Sequence, residues 1–451
     1  MADNDKPGME RSATFAALRS PTFRLFWSCN LVYFLGEWMQ LFGLGYLVVE
    51  LGLRDGDAHL VAFYAGLVGL SQAVPGLCLG LFGGVAADHV DRRRILFITQ
   101  TTLGTLTGIL GLLIVSGDIT IAEVLAINCV ASAVRVFDDP TRYSWIPGLV
   151  PSRYLVSAIG LNTASYTSMQ IFGPMVGGLL YLSIGTGGLF LVTAACYVVV
   201  AAGQLFLPLD KTGTAVRERP RPLRSVAEGL AYVVRDPVTL WVLLLCAASQ
   251  FLVRPYTQLL AAFAKDSLHV GATGLSWLLG ASGVGAFAGA LVIASLGSLE
   301  RRGRFLLCAG TALGFSLLLL GTQHTMPAAL GAVVVLALMV TLFQGTVNTI
   351  LQLRTPDRLR GRVLSVLMTI PLGILPLGTG ALGFVGSATS VATALSFAGL
   401  AFGLVSLAGL AFARGLRRAR IRRHVEPEPH ATSEVLLADA ASSGEDLVTQ
   451  P

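Results

Sequence analysis

The chain has 451 residues, of which 54% are hydrophobic and only 13% charged, with 51 glycines and a mean hydropathy of +0.70. Those values lie outside the range of soluble domains and indicate an integral membrane protein with little chain left for a soluble catalytic domain. The net charge of +6 does not point to nucleic acid, because the basic residues sit in short loops between apolar runs, where they set topology.

Residues 1–22 are polar, and the first apolar run has no small-residue cleavage site, so it reads as a retained first span. Apolar runs at 23–51, 60–87, 95–116, 119–142, 154–184 and 187–208 predict a first six-helix bundle over 23–208. A polar linker fills 209–236, and its part 223–235 reads as a short amphipathic helix on the membrane surface. Runs at 237–264, 274–297, 305–321, 327–352, 361–386 and 389–413 predict a second bundle over 237–413. The tail, 414–451, begins basic, ends acidic with Pro and Ser, and is expected to stay disordered with its arginines near anionic headgroups. The expected fold class is therefore an all-α polytopic membrane protein with twelve transmembrane helices in two six-helix bundles.

Of the 32 Lys and Arg, 28 fall at the two termini, in the central linker and in alternate loops, all on one side of that arrangement. By the positive-inside rule that side is cytoplasmic, which places both termini there, as an even number of spans requires. The six cysteines lie singly inside apolar runs, without C-x-x-C spacing, and indicate neither disulfides nor a metal site. The halves repeat: "LRSP" ending at Pro21 matches "VRDP" ending at Pro237, and "VPSRYLVSAIG" from Val150 is echoed by "TPDRLRGRVLS" from Thr355. Gly173 and Gly178 likewise return as Gly378 and Gly383, and the basic turn at Arg92 to Arg94 as Arg301 to Arg304.

Twelve spans in two halves with a basic central linker look like the major facilitator superfamily. Between spans 2 and 3, "GGVAADHVDRRR" resembles that superfamily's G-x-x-x-D-R-x-G-R-R loop: Gly84, Asp88, Arg92 and Arg93 fit, while His89 and Asp91 replace the usual Arg and Gly. "GPMVGG" in span 5, with Gly173, Pro174, Gly177 and Gly178, resembles the second part of the drug exporters' antiporter motif, with Met169 in place of its leading glycine. "SPTFRLFW…LGEWM" and "FDDPTRYSWIPGLVP" resemble the branch of enterobactin exporters and macrolide efflux proteins. The resemblance covers 12–413 and implies alternating access, with spans 1, 4, 7 and 10 around the substrate.

Within the loop motif, Asp88 is suited to cap a helix and Arg92 and Arg93 to pair with carboxylates, making a cytoplasmic latch; the plainer reading is that the arginines only set topology. Gly173-Pro174 interrupts the backbone ladder, and Gly177 and Gly178 admit a neighbouring helix, which gives a sealing bend or simple close packing. Charges inside spans are costly and normally face a partner or water. Glu37 and Arg254 lie 16 and 17 residues past the prolines that open their halves, so they are placed at similar depth and are expected to pair across the halves. Glu37 is the first candidate for carrying a proton, with Asp138 or Asp139 next; a fixed Glu37–Arg254 pair is the alternative. Arg135 is expected to be neutralised by Asp138 and Asp139 at i+3 and i+4. Trp38, Gln40, Asn128, Gln250, Tyr256, Gln344 and Asn348 are the candidates for the cavity wall, most of them reading as interhelical glue rather than as ligands.

A G-x-S-G string ending at Gly283 resembles an intramembrane serine protease. All six histidines lie outside the spans, however, so Ser282 has no base and reads as a packing residue. Neither H-E-x-x-H nor a Walker A string occurs. The expectation is a monomeric transporter in a bacterial-type cytoplasmic membrane, without cofactor, metal or enzymatic activity, exporting amphiphilic molecules such as drugs, antibiotics or siderophores against protons. An uptake symporter or a flippase for lysophospholipids or other lipids on the same fold remains the alternative.

Overall fold

The computed structural model describes residues 15–56, 58–89, 91–208, 231–295 and 302–412. The tail and nearly all of the linker, including most of the expected surface helix, lie outside the described residues.

Every regular element described is helical. The first half comprises α1 (Pro21–Arg54), α2 (Ala58–His89), α3 (Arg92–Ser116), α4 (Ile121–Leu149) and α5 (Leu155–Gln204). The second comprises α6 (Pro237–Leu252), α7 (Tyr256–Asp266), α8 (Ala272–Ser295), α9 (Arg302–Gly321), α10 (Met326–Arg354), α11 (Asp357–Ala388) and α12 (Val391–Phe412). Ten described helices are long and apolar enough to cross a membrane, α6 and α7 forming one of them together. The 50 residues of α5 would run about 75 Å as a single rod, more than twice the hydrocarbon thickness, and they break at Gly185 (φ 72°, ψ 179°) into two arms. In α4 the obstacle to an apolar reading is its own charge, Glu123, Arg135, Asp138, Asp139 and Arg142 along 29 residues. α5 thus supplies two arms where the span count has one, and α4 adds a further long helix among the described residues.

Local sequence explains the starts. Ser20 caps α1, its Oγ accepting from the Phe23 N–H at 3.4 Å, and Pro21 sits where a missing N–H does no harm. Asp236 and Pro237 repeat the device on α6, with Asp236 accepting from the Thr239 N–H at 3.1 Å. Each cap also reaches the end of the fourth span of its half, α4 in the first and α10 in the second. Ser20 Oγ donates to the Leu149 carbonyl (3.0 Å), whereas Asp236 takes Arg354 in a two-pronged ion pair at 2.7 and 2.8 Å. The duplicated "SP/DP" of the sequence is thus a duplicated pin, neutral in one half and ionic in the other. Hydrogen bonds from Arg354 and from the hydroxyl and N–H of Thr239 outweigh burial and hold the Asp236 carboxyl down at about 2.

Within the first half α5 packs on α1 and α3, and α4 on α2 and α3; within the second, α9 packs on α12 and α10, and α8 on α10. The halves meet along α2 with α11 and along the first arm of α5 with α8. Glycines make the first seam close: a methyl on Gly66 would sit 3.1 Å from the Gly383 Cα, and one on Gly76 would collide with the Leu372 carbonyl. These contacts run from mid-helix to the end of the bundle away from the termini, called the far end below. Large apolar side chains such as Phe172, Leu179, Phe384 and Phe397 stand exposed on the outside, the surface a bilayer requires.

Candidate functional site

Polar side chains form a column inside the first half. Asn30, Tyr33, Glu37 and Gln40 follow one another on α1 at intervals of three and four, which puts them on one face, and Arg135, Asp138 and Arg142 do the same on α4. At mid-depth Arg135 meets Glu37 (Nη1 to Oε1, 3.4 Å), donates to Gln40 Oε1 at 2.6 Å and reaches the Tyr197 hydroxyl at 3.2 Å. Tyr197 also donates to Gln40 at 2.7 Å, so the amide oxygen is held from two sides. The Glu37–Arg135 pair keeps 26% of each side chain accessible.

Toward the termini the column becomes sealed. Asp138 and Arg142 are the only charged residues fully buried among those described, with side chains 0% and 1% exposed. Arg142 donates Nε and Nη2 to Asp138 Oδ2 (3.2 and 2.9 Å) and Nη1 to Asn30 Oδ1 (2.6 Å), and Asn30 continues to Asn162 at 2.9 Å. The other Asp138 oxygen accepts from Thr99 (2.5 Å) and Gln100 (2.7 Å). A buried ion pair is tolerable when further hydrogen bonds support it, and here both Asp138 oxygens and all three Arg142 nitrogens are bonded. Tyr33 lies between the two levels. Its ring is 3.7 Å beneath the Arg142 guanidinium and its hydroxyl donates to Asp139 at 3.4 Å. Asp139, one step around the helix from Asp138, has no cation within ion-pair distance among the described residues.

Two charge expectations change. Glu37 pairs with Arg135 of its own half, not with Arg254, and Arg135 is met by Glu37 while Asp138 turns to Arg142. Depth along a helix does not fix the direction in which a side chain points, and Arg254 lies in a break at 253–255, beyond the end of α6. Arg142, not singled out from sequence, is a core residue; its i+4 spacing from Asp138 is the available signal.

The cavity candidates divide. Gln40 belongs to the column. Asn128 bonds α4 to α2 through the Val68 carbonyl (3.1 Å) and Ser71 (2.8 Å), and Tyr256 bonds to Ser282 of α8 at 2.9 Å. Gln344 leans on Cys246 at 3.9 Å, and Asn348 donates to the Gln344 carbonyl at 3.1 Å. Trp38 and Gln250 are nine-tenths buried, with Trp38 Nε1 and Gln250 Oε1 unbonded. Tyr166, not singled out from sequence, sets its ring edge-on to Trp38 at 5.8 Å.

In the motif of α5, Gly173 packs on Trp38 and Gly178 on Ser276 of the other half, with Pro174 buried beside them. Gly177 faces Phe42, whose ring would lie 3.1 Å from a methyl added there. Of the loop motif, Gly84 and Asp88 lie where side-chain surroundings are outside the described residues. Its described cap is Asp91, which accepts from the Arg93 N–H at 2.9 Å, while Arg93 Nη2 donates to the Leu205 carbonyl at 2.5 Å; Arg92 opens α3 beside it.

Comparison with known proteins agrees with this architecture. The family model described as transmembrane secretion effector matches residues 12–437. The enterobactin exporter EntS of Shigella boydii serotype 4 is 26% identical over 417 residues, 89% of this chain and 94% of that protein. The staphyloferrin A transporter of Staphylococcus aureus is 26% identical over 209 residues, 46% of this chain and 50% of that protein. The chain spans about half the length of the curated relatives it matches first. Among solved structures, a bacterial homolog to the human lysosomal transporter Spinster, in an inward-facing and unoccupied conformation, superposes with a TM-score of 0.65 at 15% identity, covering 88% of this chain and 96% of that one.

Proposed function

We propose, since the chain belongs to the transmembrane secretion effector family of the major facilitator superfamily, that it exports amphiphilic small molecules in exchange for protons. Membership makes it a membrane transporter, and the relative named as an enterobactin exporter supports the outward direction and the substrate class. The distribution of Lys and Arg supports cytoplasmic termini in a bacterial cytoplasmic membrane. The closed far end then corresponds to a state open to the cytoplasm.

One observation carries the proton assignment: the Glu37–Arg135 pair is a quarter accessible while the Asp138–Arg142 pair is sealed. An exchangeable proton needs a carboxylate that meets water, and Glu37 meets it at the depth where the halves converge. In this mechanism protonation of Glu37 releases Arg135, whose guanidinium then rests on Gln40 and Tyr197; deprotonation restores the pair. Asp139, held among the described residues by the Tyr33 hydroxyl, is the second proton site, and Asp138 is the fixed anion that keeps Arg142 in place. Gly173, Pro174, Gly177 and Gly178 form the bend on which α5 rocks against α1 and α8, and the loop at Arg92 and Arg93 latches the opposite state. The protein works as a monomer.

The test is accumulation of hydrophobic dyes and antibiotics in an efflux-deficient bacterial host. Wild type lowers accumulation, and both an uncoupler and Glu37→Gln restore it to the level without transporter. Unchanged efflux by Glu37→Gln, with the protein present in the membrane, overturns the assignment of Glu37. Uptake in place of efflux selects the symporter.

A further inference from the structure

On the outside of the first half, α3 and α4 leave a groove of about 330 Å³ between them. Ile95, Ile98, Thr99 and Thr102 line it from α3, and α4 lines it from Val130 to Phe137. It faces outward, Ile98 being 63% and Val130 50% exposed. Both threonine hydroxyls on its wall are already donated, Thr102 to the Ile98 carbonyl at 2.8 Å and Thr99 inward to Asp138 at 2.5 Å, so the groove suits hydrocarbon. Thr99 thus has the groove on one side and the sealed Asp138–Arg142 pair on the other.

One end of the groove carries a charge. Arg94 directly precedes Ile95 and lies one turn before Ile98 on the same face of α3, and helical side chains lean toward the N-terminus, so its guanidinium reaches past the end of the groove. It is exposed and makes no hydrogen bond or ion pair among the described residues. Its neighbours are engaged otherwise: Arg93 donates to the Leu205 carbonyl just past α5, and Asp91 caps α3 through the Arg93 N–H. On α4 the groove face continues toward the same end through Pro140 and Ser144, three and seven residues past Phe137, while Asp139 lies about 200° around the helix from Phe137. An apolar channel therefore ends at a cation that the protein does not neutralise.

With the termini cytoplasmic, as proposed above, Arg94 stands at the cytoplasmic surface and the groove lies in that leaflet: Arg94 to Thr102 is about 12 Å along the axis, within the ~15 Å of one leaflet's hydrocarbon. We infer that this groove seats an acyl chain of an anionic phospholipid whose headgroup phosphate is held by Arg94. Arginine takes phosphate through paired hydrogen bonds, and a basic side chain at that surface attracts anionic lipid. The chain covers Thr99 from outside and keeps water from the ion pair behind it.

Native mass spectrometry of the full-length protein, released from detergent and titrated with dioleoylphosphatidylglycerol or dioleoylphosphatidylcholine, reads the dissociation constant of the first lipid retained. Wild type should hold phosphatidylglycerol about fivefold more tightly, the effect of one basic residue at an anionic headgroup. Arg94→Gln should bring the ratio to about one, whereas Arg24→Gln, which removes an exposed arginine in the first turn of α1, should leave it unchanged. Ala133→Phe, which fills the groove, should weaken both lipids several-fold. A ratio near one in wild type overturns the inference, as does an equal loss in Arg24→Gln, which means diffuse attraction, or unchanged retention in Ala133→Phe, which means lipid bound elsewhere. A dimer that Ala133→Phe dissociates overturns it in favour of a second copy of the chain. If Arg94→Gln does not fold, the wild-type ratio and the Arg24→Gln and Ala133→Phe variants decide. None of these readouts involves transport, so failure here leaves the exporter reading standing, and failure of dye efflux leaves this one.

Discussion

The first half of the bundle carries its charges inside, and the second half carries almost none. Around α1, α3, α4 and α5, two arginines, three carboxylates and several amides and hydroxyls bond to one another over roughly half the membrane depth. In α6 to α12 the buried hydroxyls mostly return to their own helix, as Ser276 does to the Ala272 carbonyl and Thr346 to the Leu342 carbonyl. Duplication thus produced two bundles with one plan and different interiors: one threaded by bonded charges, the other largely apolar. The duplicated pin shows the same divergence in reverse, since the ionic version at Asp236 lies at the edge of the membrane, where charge is cheap.

That contrast predicts where substitutions hurt. Arg142→Gln leaves Asp138 as a buried unpaired charge and should cost about 3–5 kcal/mol, with part of the loss regained in the double variant Asp138→Asn/Arg142→Gln. Thermal unfolding in detergent reads this, and a mild effect of the single change would mean that the sealed column is wetter than its geometry. Gly76→Val places a side chain on the Leu372 carbonyl and should prevent far-end closure. Maleimide labelling of a cysteine introduced at Ala62 should then rise about tenfold, a population shift of about 1.4 kcal/mol. Asp236→Ala removes both cap and ion pair and should cost about 1–2 kcal/mol, less than the buried pair because it sits near water. The sign with pH follows from a depressed carboxyl: its contribution is present above the ordinary carboxylate range and disappears as pH falls through about 2, a loss that Asp236→Ala should not show. Tyr256→Phe, which deletes the bond to Ser282, should cost only about 0.6 kcal/mol, typical of a single interhelical hydrogen bond in a membrane. A larger value would show that the second half also depends on its polar contacts.

Much of this was legible in the sequence because a bilayer imposes simple rules. Span positions followed from hydropathy, the junction of the two arms of α5 fell at Gly185 between the runs ending at 184 and starting at 187, and the repeated Ser-Pro and Asp-Pro proved to be caps. Azimuth was less accessible. Asp138 and Asp139 are neighbours in sequence but about 100° apart around α4, so one is saturated by Arg142 and the other reaches Tyr33. The stripe from Asn30 to Gln40 is present as a spacing of polar residues, and following that period picks out Tyr33 from sequence alone. Pro255 likewise marks the interruption that the hydropathy run at 237–264 smooths over.

Gly185 has a mechanical consequence. Its backbone lies in a region essentially reserved for glycine, and it joins two helical arms with no loop between them. A joint one residue long spans only about 3.8 Å, so it can swivel but cannot lengthen. The first arm packs on both α1 and α8 and the second on α1 and α3, so the two share α1 as a common partner and the joint between them has no slack.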